Sequence, residues 1–373
     1  MENGTIIQGT FENDEFVGTA TINYPNGDLY EGGYEGGEKN GHGVYRTSLL
    51  EYEGDFLNGY FHGHGKLIDK IRDITTGTVE RGRIEIAETE KMVRAVVDAG
   101  VDVIMTTGTF GECATLTAEE LRTFVQTVVR TVGGKRPVFA GVTTLNTRDT
   151  ITRGRELVEI GADGLFVGRP MWLAMDDKAI LRFYQDVAHA LPGVPLVVYD
   201  NPSAFKGKIS REVYRALAEI PEVVASKHVG GPALVPDLLE IGDKMRLLPL
   251  DVDWCALARE YPKQAQACWS GGVACAPAPL MALRNAILAG EWEKAKAISE
   301  KVNWAVRAMF PGGDMSKFMD YSIQLGHVRF EEAGLFRPGP SRPPYLEAPE
   351  DYVEGSRICG RRWAELQREF AGT

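Results

Sequence analysis

The sequence predicts two unlike parts. A small all-β domain covers residues 1–70, and a (β/α)8 TIM barrel covers residues 71–290, with a C-terminal helical extension over 291–373. Three observations predict this. A Gly- and Tyr-rich pattern recurs every ~23 residues through the first part, a spacing that marks repeat architectures. Short apolar, β-rich runs then alternate with amphipathic helical stretches, which implies a parallel sheet with crossovers. No glycine-rich phosphate fingerprint follows the first of those runs, which argues against a doubly wound sheet.

The repeats align as Ile7-Gln8-Gly9, Tyr30-Glu31-Gly32 and Tyr52-Glu53-Gly54, and two copies read in full as YEGGYEGGEKNGHGV and YEGDFLNGYFHGHGK. Aromatic residues alternate with polar ones and glycines stand where tight turns are needed, so short hairpins stacked edge to edge are expected. The Gly-His-Gly ends resemble the MORN repeat, which implies a small antiparallel solenoid. The first copy is degenerate, as an end repeat often is. His42, His62 and His64 fall at turn positions and read as motif residues rather than metal ligands. Nothing in this part looks catalytic. It could bind a protein or lipid partner, or only decorate the second part.

Seven apolar runs follow, at 101–108, 137–144, 164–170, 195–201, 223–230, 245–251 and 266–272. Strands this apolar are buried on both faces. Between them lie amphipathic stretches such as LTAEELRTFVQTVVRTV and DKAILRFYQDVAHAL. A closed barrel needs eight strands, so one is missing from this count.

The totals narrow the function classes. The 373 residues carry a formal net charge of −11 and an apolar fraction of 44%. An acidic balance argues against a general nucleic-acid or anionic-membrane surface. No apolar run approaches the ~18 residues needed to span a bilayer, and MENGTIIQGT lacks the features of a secretory signal. The five cysteines form no CxxC pair, and reduced thiols in a cytoplasmic protein are expected.

In a barrel the chemistry sits at the C-terminal ends of the strands. There stand Thr106, Thr107 and the turn Gly108-Thr109-Phe110-Gly111-Glu112, then Pro170-Met171-Trp172, Tyr199-Asp200-Asn201, Lys227 and Trp269. This set holds one nucleophilic amine, one phenol and several aromatics. It has no carboxylate cluster for a divalent metal and no Ser/His/Asp set. A lysine in a desolvated interior has its ammonium form penalised, and a neutral amine can attack a ketone to form a Schiff base. A lysine there could equally snorkel to the rim or pair with an acid.

GTFGECATLT, YDNP, a lysine ending the sixth barrel strand, and CWSGG together resemble the dihydrodipicolinate synthase/N-acetylneuraminate lyase superfamily. Within it the pattern is similar to the trans-o-hydroxybenzylidenepyruvate hydratase-aldolases of aromatic-hydrocarbon breakdown. The likeness runs from about Ile84 through RPGPSRPPY and PEDYVEG. It implies that Lys227 is the Schiff-base lysine and Tyr199 the phenol that relays protons. It implies that Thr109 and the backbone N–H groups of Gly108, Phe110 and Gly111 hold the substrate carboxylate, with Thr109 a catalytic residue that completes the proton relay. Asn201, Trp172 and Trp269 would line the aryl end of the pocket. The implied activity cleaves an aryl-substituted enone pyruvate to an aromatic aldehyde and pyruvate with no metal or organic cofactor, in a homo-tetramer.

The chain departs from the family pattern in three places. Ala204 stands where dihydrodipicolinate synthases carry a carboxylate-binding arginine, and with Phe205 it suits a bulky aryl group. Ser322 stands where the hydratase-aldolases carry an asparagine that contributes to the pocket. The first barrel strand, with its Pro-Thr-Pro-like segment, is absent before the helix IAETEKMVRAVVDAG. An open barrel exposes two sheet edges, so KIRDITT (70–76) or the last repeat hairpin is expected to substitute. Two other functions stay open: an inactive barrel serving as a scaffold through the repeats, and another pyruvate lyase of the same superfamily.

Overall fold

A computed structural model describes residues 4–12, 15–47, 50–69 and 84–372. They fall into two compact units, one within residues 1–82 and the other within 83–373.

The first unit is a six-stranded antiparallel sheet in consecutive order. Its strands are β1 (Ile6–Glu12), β2 (Glu15–Asn23), β3 (Leu29–Glu35), β4 (Glu38–Arg46), β5 (Leu50–Leu57) and β6 (Tyr60–Asp69). Paired glycines explain the repeat. A Cβ on Gly32 would lie 2.3 Å from the Gly43 Cα, and one on Gly54 would lie 2.4 Å from the Gly65 Cα. The rings of Tyr30 and Tyr52 cover Gly43 and Gly65. Those rings, with Phe16, Ala20, Ile22 and Phe56, form the small core of this unit.

The second unit carries a six-stranded parallel sheet, again in consecutive order. Its strands are β7 (Ile104–Met105), β8 (Val138–Gly141), β9 (Gly164–Gly168), β10 (Leu196–Tyr199), β11 (Val223–Lys227) and β12 (Arg246–Leu248). The sequence pattern predicts seven strands. The seventh, QACWSGG, is reduced to one parallel bridge between Leu250 and Trp269. Two glycines follow Ser270 there, and Gly272 is pressed against the Trp363 indole, so the chain turns away before a ladder forms. Ile68 and Asp69 end β6. The substitute strand expected over 70–76 lies outside the described residues.

Helices alternate with the strands: α1 (Ile86–Asp98), α2 (Ala118–Val132), α3 (Thr147–Glu159), α4 (Asp177–Ala190), α5 (Pro202–Phe205), α6 (Arg211–Leu217), α7 (Leu234–Ile241) and α8 (Asp251–Glu260). Their starts follow from capping side chains, which satisfy otherwise orphaned N–H groups. Thr117 and Glu120 form a reciprocal capping box on α2, and Asn146, Asp176 and Ser210 cap α3, α4 and α6. The strands' aliphatic side chains and the inner faces of α2, α3, α4, α6 and α7 share one large core. A second core joins α8 to the C-terminal helices α9 (Pro277–Leu288), α10 (Trp292–Arg307), α11 (Met315–Asp320), α12 (Ser322–Ala333) and α13 (Glu350–Phe370). No helix of the described residues is long and apolar enough to cross a membrane.

Candidate active site

Strand geometry places the first residues. Parallel neighbours in register point to the same face, and Tyr199 is paired with Gly168 on one side and Lys227 on the other. The Lys227 amine lies 4.4 Å from the centre of the Tyr199 ring and 3.9 Å from that of Trp269. Protein atoms crowd around it, and burial holds its pKa below the ordinary lysine value, with Tyr199 and Cys113 opposing. The residue as a whole is only half-buried. A nucleophile needs both conditions: enclosure that favours the neutral amine, and an opening through which a ketone can reach it.

The phenol is set just as firmly. Tyr199 is buried, its ring stacked on Phe166 at 4.4 Å and met edge-on by Phe205 at 5.2 Å. Its oxygen lies 2.7 Å from the Thr109 hydroxyl, and the Asn201 side-chain amide donates to it at 3.2 Å and to Thr109 Oγ1 at 3.3 Å. The other end of the Asn201 amide caps α5, accepting from the Ala204 N–H at 3.2 Å, and this aims its NH2 at the phenol. Thr109 opens a single helical turn, Thr109–Gly111. The preceding Thr107 is held at a φ of 47° by contacts between its hydroxyl and Gly141. Such a conformation is rare for a β-branched residue and persists only where its surroundings enforce it.

The structure thus brings Lys227, Tyr199, Thr109, Asn201 and Trp269 into one cluster, with Gly108 against the Tyr199 ring edge. The remaining predicted site residues make other contacts. The Phe110 ring packs toward Phe318, Gly326 and the Arg329 guanidinium. The Gly111 N–H donates to the Gly108 carbonyl within the turn. Trp172 is 75% exposed on the loop after β9, where its carbonyl accepts from Lys206 at 2.6 Å. Ser322 is buried at the head of α12.

The dihydrodipicolinate synthetase family matches residues 70–352, and MORN repeats match at 8–29, 30–48 and 52–71. The chain belongs to the dihydrodipicolinate synthetase family. It is 51% identical over 294 residues to the trans-2'-carboxybenzalpyruvate hydratase-aldolase of Nocardioides sp. (strain KP7), covering 78% of this chain and 89% of that protein. It is 42% identical over 292 residues to the trans-o-hydroxybenzylidenepyruvate hydratase-aldolase of Pseudomonas aeruginosa, covering 77% and 87%. Among solved structures it resembles PhdJ bound to a substrate intermediate, with a TM-score of 0.76, 54% identity, and coverage of 77% and 90%.

Around the cluster of this family member lies a shell of polar residues; the strand-end reading names Asp200 and Glu112 without a role and misses Arg169, His228, Asp237 and Asp251. Arg169 and Asp200, both fully buried, pair at 3.2 Å, and Arg169 also donates to the Gly207 carbonyl after α5. Burial pushes the Asp200 carboxyl up, and Arg169 opposes that. His228 Nδ1 accepts from the Gly230 N–H at 2.9 Å, so its other nitrogen carries the proton toward Asp237 at 3.2 Å. Burial lowers the His228 pKa, in keeping with a neutral ring. The His228 carbonyl accepts from the Trp269 indole at 3.1 Å. Asp251 accepts from the Ser270 hydroxyl, and its N–H donates to the Trp269 carbonyl at 3.0 Å, clamping Trp269 from behind. Glu112 holds the turn to the C-terminal segment through the Arg342 N–H at 2.6 Å and its guanidinium at 2.7 Å. A signal for part of this shell exists in the sequence: Ser226 and His228 flank Lys227, and Asp200 follows Tyr199. Polar residues at odd register beside inward ones must face the helices and need partners there.

Proposed function

We propose that the chain is a Schiff-base hydratase-aldolase that cleaves an aryl-substituted enone pyruvate to an aromatic aldehyde and pyruvate. The observation that carries this reading is the enclosed Lys227 amine beside a phenol, hydroxyl and amide that contact one another. Relatives at 42–51% identity with this activity in their names support it.

In this mechanism the Lys227 amine attacks the C2 ketone, and loss of water gives an iminium. Tyr199, in contact with the Thr109 hydroxyl, carries the protons of that step. The iminium withdraws electrons along the conjugated chain, so water adds at the benzylic carbon, guided by Asn201 or Tyr199. Water addition leaves an enamine. A proton added to the carbon next to the benzylic one restores the iminium, and loss of the new hydroxyl's proton then breaks the bond between those two carbons. The aldehyde leaves, and the electron pair stays as an enamine on Lys227. Protonation of its terminal carbon and hydrolysis release pyruvate and the free amine. The iminium serves as the electron sink, and the chain's own residues suffice for each step. Thr109 with its turn would receive the carboxylate, and Trp269 and Ala204 the aryl group.

The same reading divides the chain at 1–70, 71–290 and 291–373 and gives the repeats a protein or lipid partner. It places the protein in the cytoplasm as a homo-tetramer. The exposed Trp172 and Leu173, at 75% and 74%, support assembly, since adjacent exposed apolar residues mark contact surfaces.

The test is reduction with borohydride in the presence of pyruvate, read by intact mass and peptide mapping. An adduct at Lys227, lost in Lys227→Ala, is expected, together with pyruvate release and loss of enone absorbance from a benzylidenepyruvate. Equal labelling of Lys227→Ala overturns the reading.

A further inference from the structure

We propose that Tyr214 is a positioning residue that sets the spacing of Lys227 and Tyr199, an inference that rests on the aldolase reading. Tyr214 stands on α6 and is fully buried behind the sheet. Its hydroxyl donates to Asp200 Oδ2 at 3.3 Å and meets the Ser226 hydroxyl at 3.1 Å. Asp200 directly follows Tyr199, and Ser226 directly precedes Lys227. Successive strand residues face opposite sides. Tyr214 therefore ties together, from the helix side, the two chain segments whose opposite faces present the phenol and the amine.

The backbone alone specifies this spacing weakly. The β10–β11 ladder slips between Leu196 and Val197, and only Val197–Ala225, Val198–Ser226 and Tyr199–Lys227 pair in register beyond the slip. A one-residue change of pairing would send Lys227 to the opposite face from Tyr199. The Tyr214 hydroxyl bonds to Ser226 on β11 and to Asp200 just beyond β10, at the reactive end of this short ladder. Arg169, just past the end of β9, holds the Asp200 carboxylate in place, so the cross-link has a fixed anchor. Tyr214 itself touches no reacting atom.

Tyr184 supplies the control. It is also fully buried, but its hydroxyl donates to the Val167 carbonyl at 3.0 Å, on a strand that carries neither Lys227 nor Tyr199. The experiment compares Tyr214→Phe with Tyr184→Phe in the full chain. It measures the rate of borohydride trapping at saturating pyruvate, the kcat and KM for the enone, and the Tm. Tyr214→Phe is expected to slow trapping and kcat by about tenfold or more, a part of the hundredfold that a misplacement of about 1 Å costs. KM should change little, and Tyr184→Phe, with a similar Tm loss, should trap at the wild-type rate. Equal trapping by the two variants overturns the inference. Should Tyr214→Phe fail to fold, Ser226→Ala cuts the same link and is read in the same way. Absence of any adduct in the wild-type chain overturns the aldolase reading itself, and this inference with it.

Discussion

Replacing Tyr199 by Phe tests the centre of the candidate site with little disturbance around it. The lost oxygen lies 2.7 Å from Thr109 Oγ1 and receives the Asn201 amide at 3.2 Å and the Thr109 N–H at 3.4 Å. At about 1 kcal/mol net per hydrogen bond, with two of the three long, the stability loss comes to roughly 1–2 kcal/mol. It is no larger because the Asn201–Thr109 contact at 3.3 Å survives and the ring stays held between Phe166 and Phe205. The effect on turnover should far exceed this. Loss of a positioned proton relay costs about 10²–10⁴ in rate, or ~3–5 kcal/mol of barrier. The assay follows enone absorbance and pyruvate release in parallel with a thermal melt. A folded Tyr199→Phe protein whose kcat stays within about threefold of wild type would refute the assignment of the phenol as proton carrier.

Three further outcomes follow from the same geometry. Lys227→Met should abolish trapping yet raise stability. Burial holds the amine below its ordinary 10.5, so the unfolded chain binds more protons between the folded value and 10.5, and wild-type stability rises with pH across that window. The variant's advantage in denaturant melts should accordingly be greatest below the folded value and disappear toward 10.5. Gly168→Ala places a Cβ 2.4 Å from Phe205 Cζ and 2.5 Å from Thr143 Oγ1. Overpacking should cost about 1–3 kcal/mol and slow turnover by pressing Phe205 on Tyr199; an unchanged melt and kcat would contradict the packing described. Burial pushes the Asp251 carboxyl from 3.8 up to about 6. Its raised value stabilises the folded chain below the unfolded value, and that contribution is lost as pH rises through about 6. Asp251→Asn should thus gain on wild type by roughly 3 kcal/mol between acid and neutral pH, as read from denaturant midpoints; a constant difference across that range would contradict it.

Periodicity and motif spacing by themselves settle much of this protein. The tyrosine–glycine repeat specifies an antiparallel sheet, because only glycine lets neighbouring strands and the covering rings approach so closely. Alternating apolar runs and capped helices specify the parallel sheet, and the strand-end positions of Lys227, Tyr199, Thr109 and Asn201 are legible because side chains alternate with a period of two. Trp269 is legible as a residue at a strand end, but its contact with the amine is not. Its place over the amine depends on a bridge to Leu250, on its indole N–H donating to the His228 carbonyl and on the Asp251 N–H, partners distant or unremarkable in sequence. Tertiary structure alone decides that the Phe110 ring turns toward the C-terminal helices and that Trp172 stands in solvent. It also decides that Arg169, Tyr214 and Asp200 join behind the sheet. The physical reason is range: local patterns set which face a side chain takes, whereas contacts between segments tens of residues apart set how near two such side chains come and how dry the space between them is.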